Sequence, residues 1–90
     1  MTKIRLGVNL DHVATLRQVR GGTTPYPSLL RHLEIATFAG ADQVTIHLRE
    51  DRRHIQDQDV KEVCQFSKIP VNLEMAVTEE MTKIALKHKP

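Results

Sequence analysis

Three short runs in this chain alternate apolar and polar residues with a period of two, and a stretch of helical periodicity follows each. The first run is Lys3 to Leu10, where Ile4, Leu6, Val8 and Leu10 alternate with Arg5, Gly7 and Asn9. In the second, Val44, Ile46 and Leu48 alternate with Gln43, Thr45 and His47; in the third, Val71, Leu73 and Met75 alternate with Asn72, Glu74 and Ala76. Successive side chains of a strand point to opposite faces, so each run predicts a strand with two unlike sides. A short helix-compatible piece, Val13 to Arg20, follows the first run, and Gly21 to Pro27 reads as a loop. A first full helix is expected from Pro27 or Ser28 to Ala39, with Leu29, Leu30, Leu33, Ala36 and Phe38 as its buried stripe and Gly40 as its stop.

A second helix is expected to start at Asp57 or Asp59, either of which offers an N-cap carboxylate, with Glu62 in capping-box position to Asp59. Its buried stripe is Val60, Val63, Cys64 and Phe66, and it ends near Ser67. Thr78 caps a third helix, with Glu79 and Glu80 in its first turn and Met81, Ile84, Ala85 and His88 on one face. Strand followed by helix, three times over, predicts an α/β fold with parallel strands and right-handed crossovers. Three such strands leave both sheet edges open, whereas parallel sheets are normally covered on both faces. The expectation is therefore the first part of a larger α/β domain, without a boundary inside residues 1–90.

Composition narrows the class and adds little else. The 90 residues are 40% hydrophobic and 27% charged, and the net charge of +2 is too small to imply nucleic acid as a partner. No apolar run approaches the roughly 18 residues of a membrane span, and no signal-peptide core precedes the first strand. The one cysteine, Cys64, excludes a disulfide framework and fits a reducing compartment, so a cytoplasmic location is expected. Cys64 has no evident base beside it and reads as core packing.

The candidate chemistry follows from strand parity. If the apolar positions face the helices, the opposite face carries Gly7 and Asn9, Thr45, His47 and Arg49, and Asn72 and Glu74. In a closed barrel that face points at the axis, where branched apolar residues are the rule. Asn9, His47 and Glu74 instead present polar groups from three strands near their carboxyl ends, at one level, which is where α/β enzymes build sites. Each has a plainer reading. A single histidine such as His47 is commonly a hydrogen-bonded structural group. Glu74, set between Leu73 and Met75, is costly to bury unless paired with an arginine or used; burial would raise its pKa toward the range useful for proton transfer. Asn9 and Asp11 could simply cap the turn after the first strand. The run Arg49 to His54 is either a solvated loop or, by its position after His47, an anion-binding segment; Arg17 and Arg20 either close over an anion or lie exposed. His32 and His88 read as structural or solvent-facing. A metal site is conceivable from His47, His54 and Glu74, though their spacing does not demand one, and the strong phosphate-loop, dinucleotide and zinc motifs are absent. General acid–base chemistry on an anionic substrate is the reading from the residues alone.

Three segments carry a family resemblance: Leu6-Gly7-Val8-Asn9-Leu10-Asp11-His12-Val13-Ala14-Thr15-Leu16-Arg17, Val44-Thr45-Ile46-His47-Leu48-Arg49-Glu50-Asp51-Arg52-Arg53-His54-Ile55, and Asn72-Leu73-Glu74-Met75-Ala76 followed by Thr78-Glu79-Glu80-Met81. They resemble the pyridoxine 5'-phosphate synthase family, and the likeness spans essentially the whole chain. The resemblance implies a TIM (β/α)8 barrel with additional helices, of which this chain supplies the first three βα units, assembled into a homo-oligomer. It implies condensation of 3-amino-2-oxopropyl phosphate with 1-deoxy-D-xylulose 5-phosphate, forming the pyridine ring of vitamin B6 and releasing phosphate and water, without metal or organic cofactor.

By the same resemblance, His47 and Glu74 match the proton-transferring residues. Asn9 and Arg20 match positions holding the amino-oxopropyl phosphate, and Asp11, His12, Arg49 and His54 match those around the deoxyxylulose phosphate. The family's chains approach the roughly 250 residues of a complete barrel, and its later catalytic histidine and glycine-rich phosphate segments have no counterpart here. The loop from Arg20 to Pro27 is about two residues longer than the family's usual form. Two rival readings stay open. One is another phosphate-handling barrel such as an aldolase or isomerase, although no Schiff-base lysine is apparent on an inward strand face; the other is a non-catalytic interaction module.

Overall fold

The computed structural model describes residues 4–90, so the expected start of the first strand at Lys3 lies outside the described residues. Three strands, β1 (Gly7–Asn9), β2 (Gln43–His47) and β3 (Val71–Glu74), form one parallel sheet in the order β1-β2-β3. Four helices accompany them: α1 (Asp11–Val19), α2 (Leu29–Phe38), α3 (Asp57–Phe66) and α4 (Glu79–His88). The extents of 44 × 30 × 18 Å are those of a slab, one sheet with its helices stacked on it.

The predicted parity is the observed one. Val8 pairs with Val44 and Val44 with Val71, while Ile46 pairs with Leu73, so these apolar side chains share one face. Val44, Ile46 and Leu48 are fully buried there, packed with Leu29 and Leu33 of α2, Val60 and Val63 of α3 and Met81 of α4. Burying a side chain of that size is worth about 1.5–3 kcal/mol, which makes the centre of β2 the anchor of the sheet. β1 is shorter than its alternation suggests. Ile4 and Leu6 stay exposed, because the helical layer is centred on β2 and does not reach the start of the β1 edge.

Local signals set most helix ends. Ser28 Oγ accepts the Arg31 N–H at 3.2 Å, and Gly40, at φ +101°, closes α2 in a conformation that costs a residue with a side chain more. Thr78 Oγ1 accepts the Met81 N–H at 3.2 Å, as expected for the third full helix. α3 departs from expectation. Gln56, not an aspartate, is its N-cap, and Asp59 takes the third helical position, where its Oδ2 accepts the Gln56 N–H at 2.7 Å. Phe38 and Phe66 also leave the core: they are 95% and 57% exposed. Phe38 lies five residues beyond Leu33, about 140° around the helix, and Phe66 has drifted about 120° from Val60. Both line an apolar groove of about 1010 Å³ between α2 and α3, on the side of the molecule away from the polar face of the sheet.

Candidate active site

Opposite the core, the sheet presents Gly7 and Asn9 from β1, Gln43, Thr45 and His47 from β2, and Asn72 and Glu74 from β3. Register arranges them in rows. Asn9, Thr45 and Asn72 are partners across the three strands, and Asn72 Nδ2 donates to Thr45 Oγ1 at 3.3 Å. His47 and Glu74 are partners in the next row toward the carboxyl ends. Asn9 therefore stands on the expected face but one row short of the level it was expected to share with His47 and Glu74.

The chain leaving β1 supplies what that row lacks. Asp11, the first residue of α1, is 8% exposed, and its backbone N–H donates to Asn9 Oδ1 at 2.7 Å. Its Oδ2 accepts from Asn9 Nδ2 at 3.1 Å, and its Oδ1 accepts the backbone N–H of His47 at 2.7 Å. A single buried carboxylate thus ties the end of β1 to the end of β2. Without it the His47 N–H would lose its partner, a loss worth about 1–3 kcal/mol for a buried donor. Asn9 and Asp11 do cap this turn, and in doing so they fix the backbone that carries His47.

Beyond His47 the chain makes a loop that turns His54 back toward it, with the two imidazole centroids 6.2 Å apart. The Ile55 N–H donates to His54 Nδ1 at 2.7 Å, which leaves Nε2 as the proton-bearing nitrogen of the neutral ring. Burial pushes the His54 pKa below its ordinary value; the Asp11 carboxylate opposes that, while His47, Arg49 and His12 reinforce it. The groups that act on His54 are thus four of the sequence-derived candidates, gathered from α1, β2 and the loop after it. His12 and Arg49 are more open, His12 exposed on α1 and Arg49 donating from Nε to Asp51 Oδ1 at 3.2 Å.

Several expectations change. Glu74 ends β3 in the open, and among the described residues its carboxylate has neither the desolvation nor the arginine partner that its position between two apolar residues suggested. The helices cover only the other face, so the cost of burying it does not arise here. Arg20 is not gathered with the others. α1 carries it roughly 13 Å from Asp11, where its guanidinium lies 5.4 Å from the centre of the Tyr26 ring. Arg17 neither closes over an anion nor lies exposed: Nη1 and Nη2 donate to Asp59 Oδ1 and Oδ2 at 2.9 and 2.7 Å, and both side chains are nearly buried.

The arginine run after His47 divides in the same way. Arg52, at φ +51°, donates to Asp57 and Glu80 and so joins the starts of α3 and α4. Arg53 and Arg49 both bind Asp51, whose carboxyl they hold down to about 2, with Arg53 the larger influence. No three His, Cys, Asp or Glu side chains among the described residues converge as a metal-ligand set, His47, His54 and Glu74 included. Cys64 is half-buried, and burial raises its pKa, as suits a packing residue.

The fold and this site define a parallel α/β protein with its candidate site residues at the carboxyl ends of the strands, on the face its helices leave open. Within that class the family is definite. The profile described as "Pyridoxal phosphate biosynthesis protein PdxJ" matches residues 6–90, and the chain belongs to that family. It is 60% identical over 88 residues to the pyridoxine 5'-phosphate synthase of Bdellovibrio bacteriovorus, 98% of this chain and 36% of the relative. It is 64% identical over 86 residues to that of Geobacter sp. (strain M21), 96% of this chain and 35% of the relative. The chain spans about a third of the length of the curated relatives it matches.

Proposed function

We propose that this chain is the N-terminal part of a pyridoxine 5'-phosphate synthase, a (β/α)8 barrel in which the open polar face becomes the interior. The observation that carries the reading is the row of His47 and Glu74, in register on adjacent parallel strands, with His54 folded back beside His47. Family membership and about 60% identity to relatives bearing that name support it.

In this reading the amine of 3-amino-2-oxopropyl phosphate condenses with the ketone of 1-deoxy-D-xylulose 5-phosphate to give an imine and water. Proton removals, loss of phosphate and ring closure to pyridoxine 5'-phosphate follow. Each step moves a proton to or from carbon, nitrogen or oxygen, work for which an imidazole and a carboxylate side by side are suited. His47 and Glu74 take that role. His12, Arg49 and His54 gather around the deoxyxylulose phosphate, Asp11 holds the backbone beneath them, and Asn9 and Arg20 meet the amino-oxopropyl phosphate. Arg20, at the C-terminal end of α1, would have to move to reach it. Holding two phosphorylated reactants together supplies several kcal/mol of the barrier by itself, and the proton steps use side chains, without metal or organic cofactor. A cytoplasmic homo-oligomer is the expected setting.

The test is synthesis of pyridoxine 5'-phosphate from the two substrates. The full-length protein is expected to form it and the isolated 90 residues to form none. Failure of the full-length protein with both substrates, or turnover by the 90 residues alone, overturns the reading. Turnover of an aldolase or isomerase substrate in its place would favour the other phosphate-handling class.

A further inference from the structure

Among the ion pairs of the described residues, Arg17–Asp59 is the most enclosed. It joins positions 42 residues apart, with side chains 13% and 11% exposed. Its stabilising value is small on physical grounds, because desolvating both charges offsets most of their attraction, and an apolar pair of similar volume often does as well. What an apolar pair would not do is aim further hydrogen bonds. Arg17 Nη2 also donates to the backbone carbonyl of His54 at 3.3 Å, and Asp59 Oδ2 also accepts the Gln56 N–H at 2.7 Å. Gln56 Nε2 donates to the same His54 carbonyl at 3.0 Å and to that of Arg52 at 2.8 Å. The His54 carbonyl and the N–H groups of Ile55 and Gln56 are therefore all held.

The consequence runs through one peptide plane. The C=O of His54 and the N–H of Ile55 belong to the same planar unit and point in opposite directions. Holding the carbonyl toward Arg17 and Gln56 therefore turns the Ile55 N–H toward the imidazole, where it meets Nδ1 at 2.7 Å. A nitrogen that accepts a hydrogen bond bears no proton, so the neutral ring carries its proton on Nε2 and offers it as a donor.

We infer that Arg17 and Asp59 are positioning residues for His54, fixing its peptide plane so that the imidazole presents Nε2–H, a neutral donor, to the substrate oxygen it meets. This deepens the proposed function and rests on it for the identity of that substrate, the deoxyxylulose phosphate. It places His54 outside the proton-transfer steps, which need a ring nitrogen free to accept as well as donate.

The experiment uses full-length protein labelled with nitrogen-15 in its histidine rings, with His54→Gln to assign the His54 signals. Wild type is expected to show His54 as one tautomer, protonated on Nε2. Arg17→Lys keeps a charge opposite Asp59 but loses the fork that reaches the carbonyl; the His54 signals should become a tautomer mixture. The KM for deoxyxylulose phosphate should then rise about 10–100-fold, the scale of a misplacement near 1 Å, with the KM for the amino-oxopropyl phosphate and kcat changing far less. The double variant Arg17→Met with Asp59→Leu should lose little more stability than the α3 cap bond from the Gln56 N–H contributes, and still show the mixture. A wild-type mixture, a single Nε2–H tautomer in Arg17→Lys, or one restored by the apolar pair overturns the inference. The histidine spectrum needs no substrate, so it tests the clamp even if the full-length protein makes no pyridoxine 5'-phosphate.

Discussion

The two faces of the β2 strand differ in burial and in chemistry. On one, Val44, Ile46 and Leu48 are fully buried beneath α2, α3 and α4. On the other, Thr45 stands in register with Asn9 and Asn72, and His47 with Glu74. Five consecutive residues thus serve stability and chemistry alternately, and the strand's period of two keeps the roles apart. The lesson is that a polar site can be placed on a sheet this small without weakening the core, provided something other than burial holds the site in shape. Here that is the Asp11 carboxylate at the end of β1 and the Arg17–Asp59 pair behind His54.

The largest effect is expected on the apolar face. Ile46→Ala removes the centre of the core and should lower unfolding free energy by about 2–5 kcal/mol, read by denaturant titration, with little change in the row formed by His47 and Glu74. Asp11→Ala strikes the link between the faces. It leaves the His47 N–H and the Asn9 amide without their acceptor and should cost about 1–3 kcal/mol, with a drop in turnover out of proportion to that loss.

A smaller difference should appear with pH. Burial holds the folded His54 pKa below its ordinary value, so between that depressed pKa and about 6.5 the unfolded chain binds the proton and the folded chain does not. Stability should be fully present above that window and fall as the solution is acidified through it. His54→Gln should flatten this slope; an unchanged slope would mean the burial has no thermodynamic weight. Least of all, Asn72→Ala on the open face should shift stability by no more than about 0.5 kcal/mol.

How much of this was legible depends on how local the signal is. The two faces of all three strands follow from alternation alone and the cap at Thr78 from a single residue, whereas Ser28 was legible only as one of two possible starts of α2. Phe38 and Phe66 misled because apolar character without helical phase does not establish burial. The N-cap of α3 moved to Gln56 because Asp59 binds Arg17 and the Gln56 backbone together, a choice no local pattern contains. Arg17 was legible only as a cation that either closes over an anion or lies exposed, since its partner lies 42 residues away in the sequence. His47 and Glu74 were paired correctly from parity, whereas the exposure of Glu74 depends on what covers the sheet.

The most direct test is Glu74→Gln in the full-length protein, with unfolding and synthesis of pyridoxine 5'-phosphate measured on the same sample. The account predicts an unfolding free energy within about 0.5 kcal/mol of wild type, binding of the phosphorylated substrates largely intact, and turnover lower by about 10²–10⁴-fold. Retained turnover, or a loss of turnover matched by a loss of stability, would contradict it.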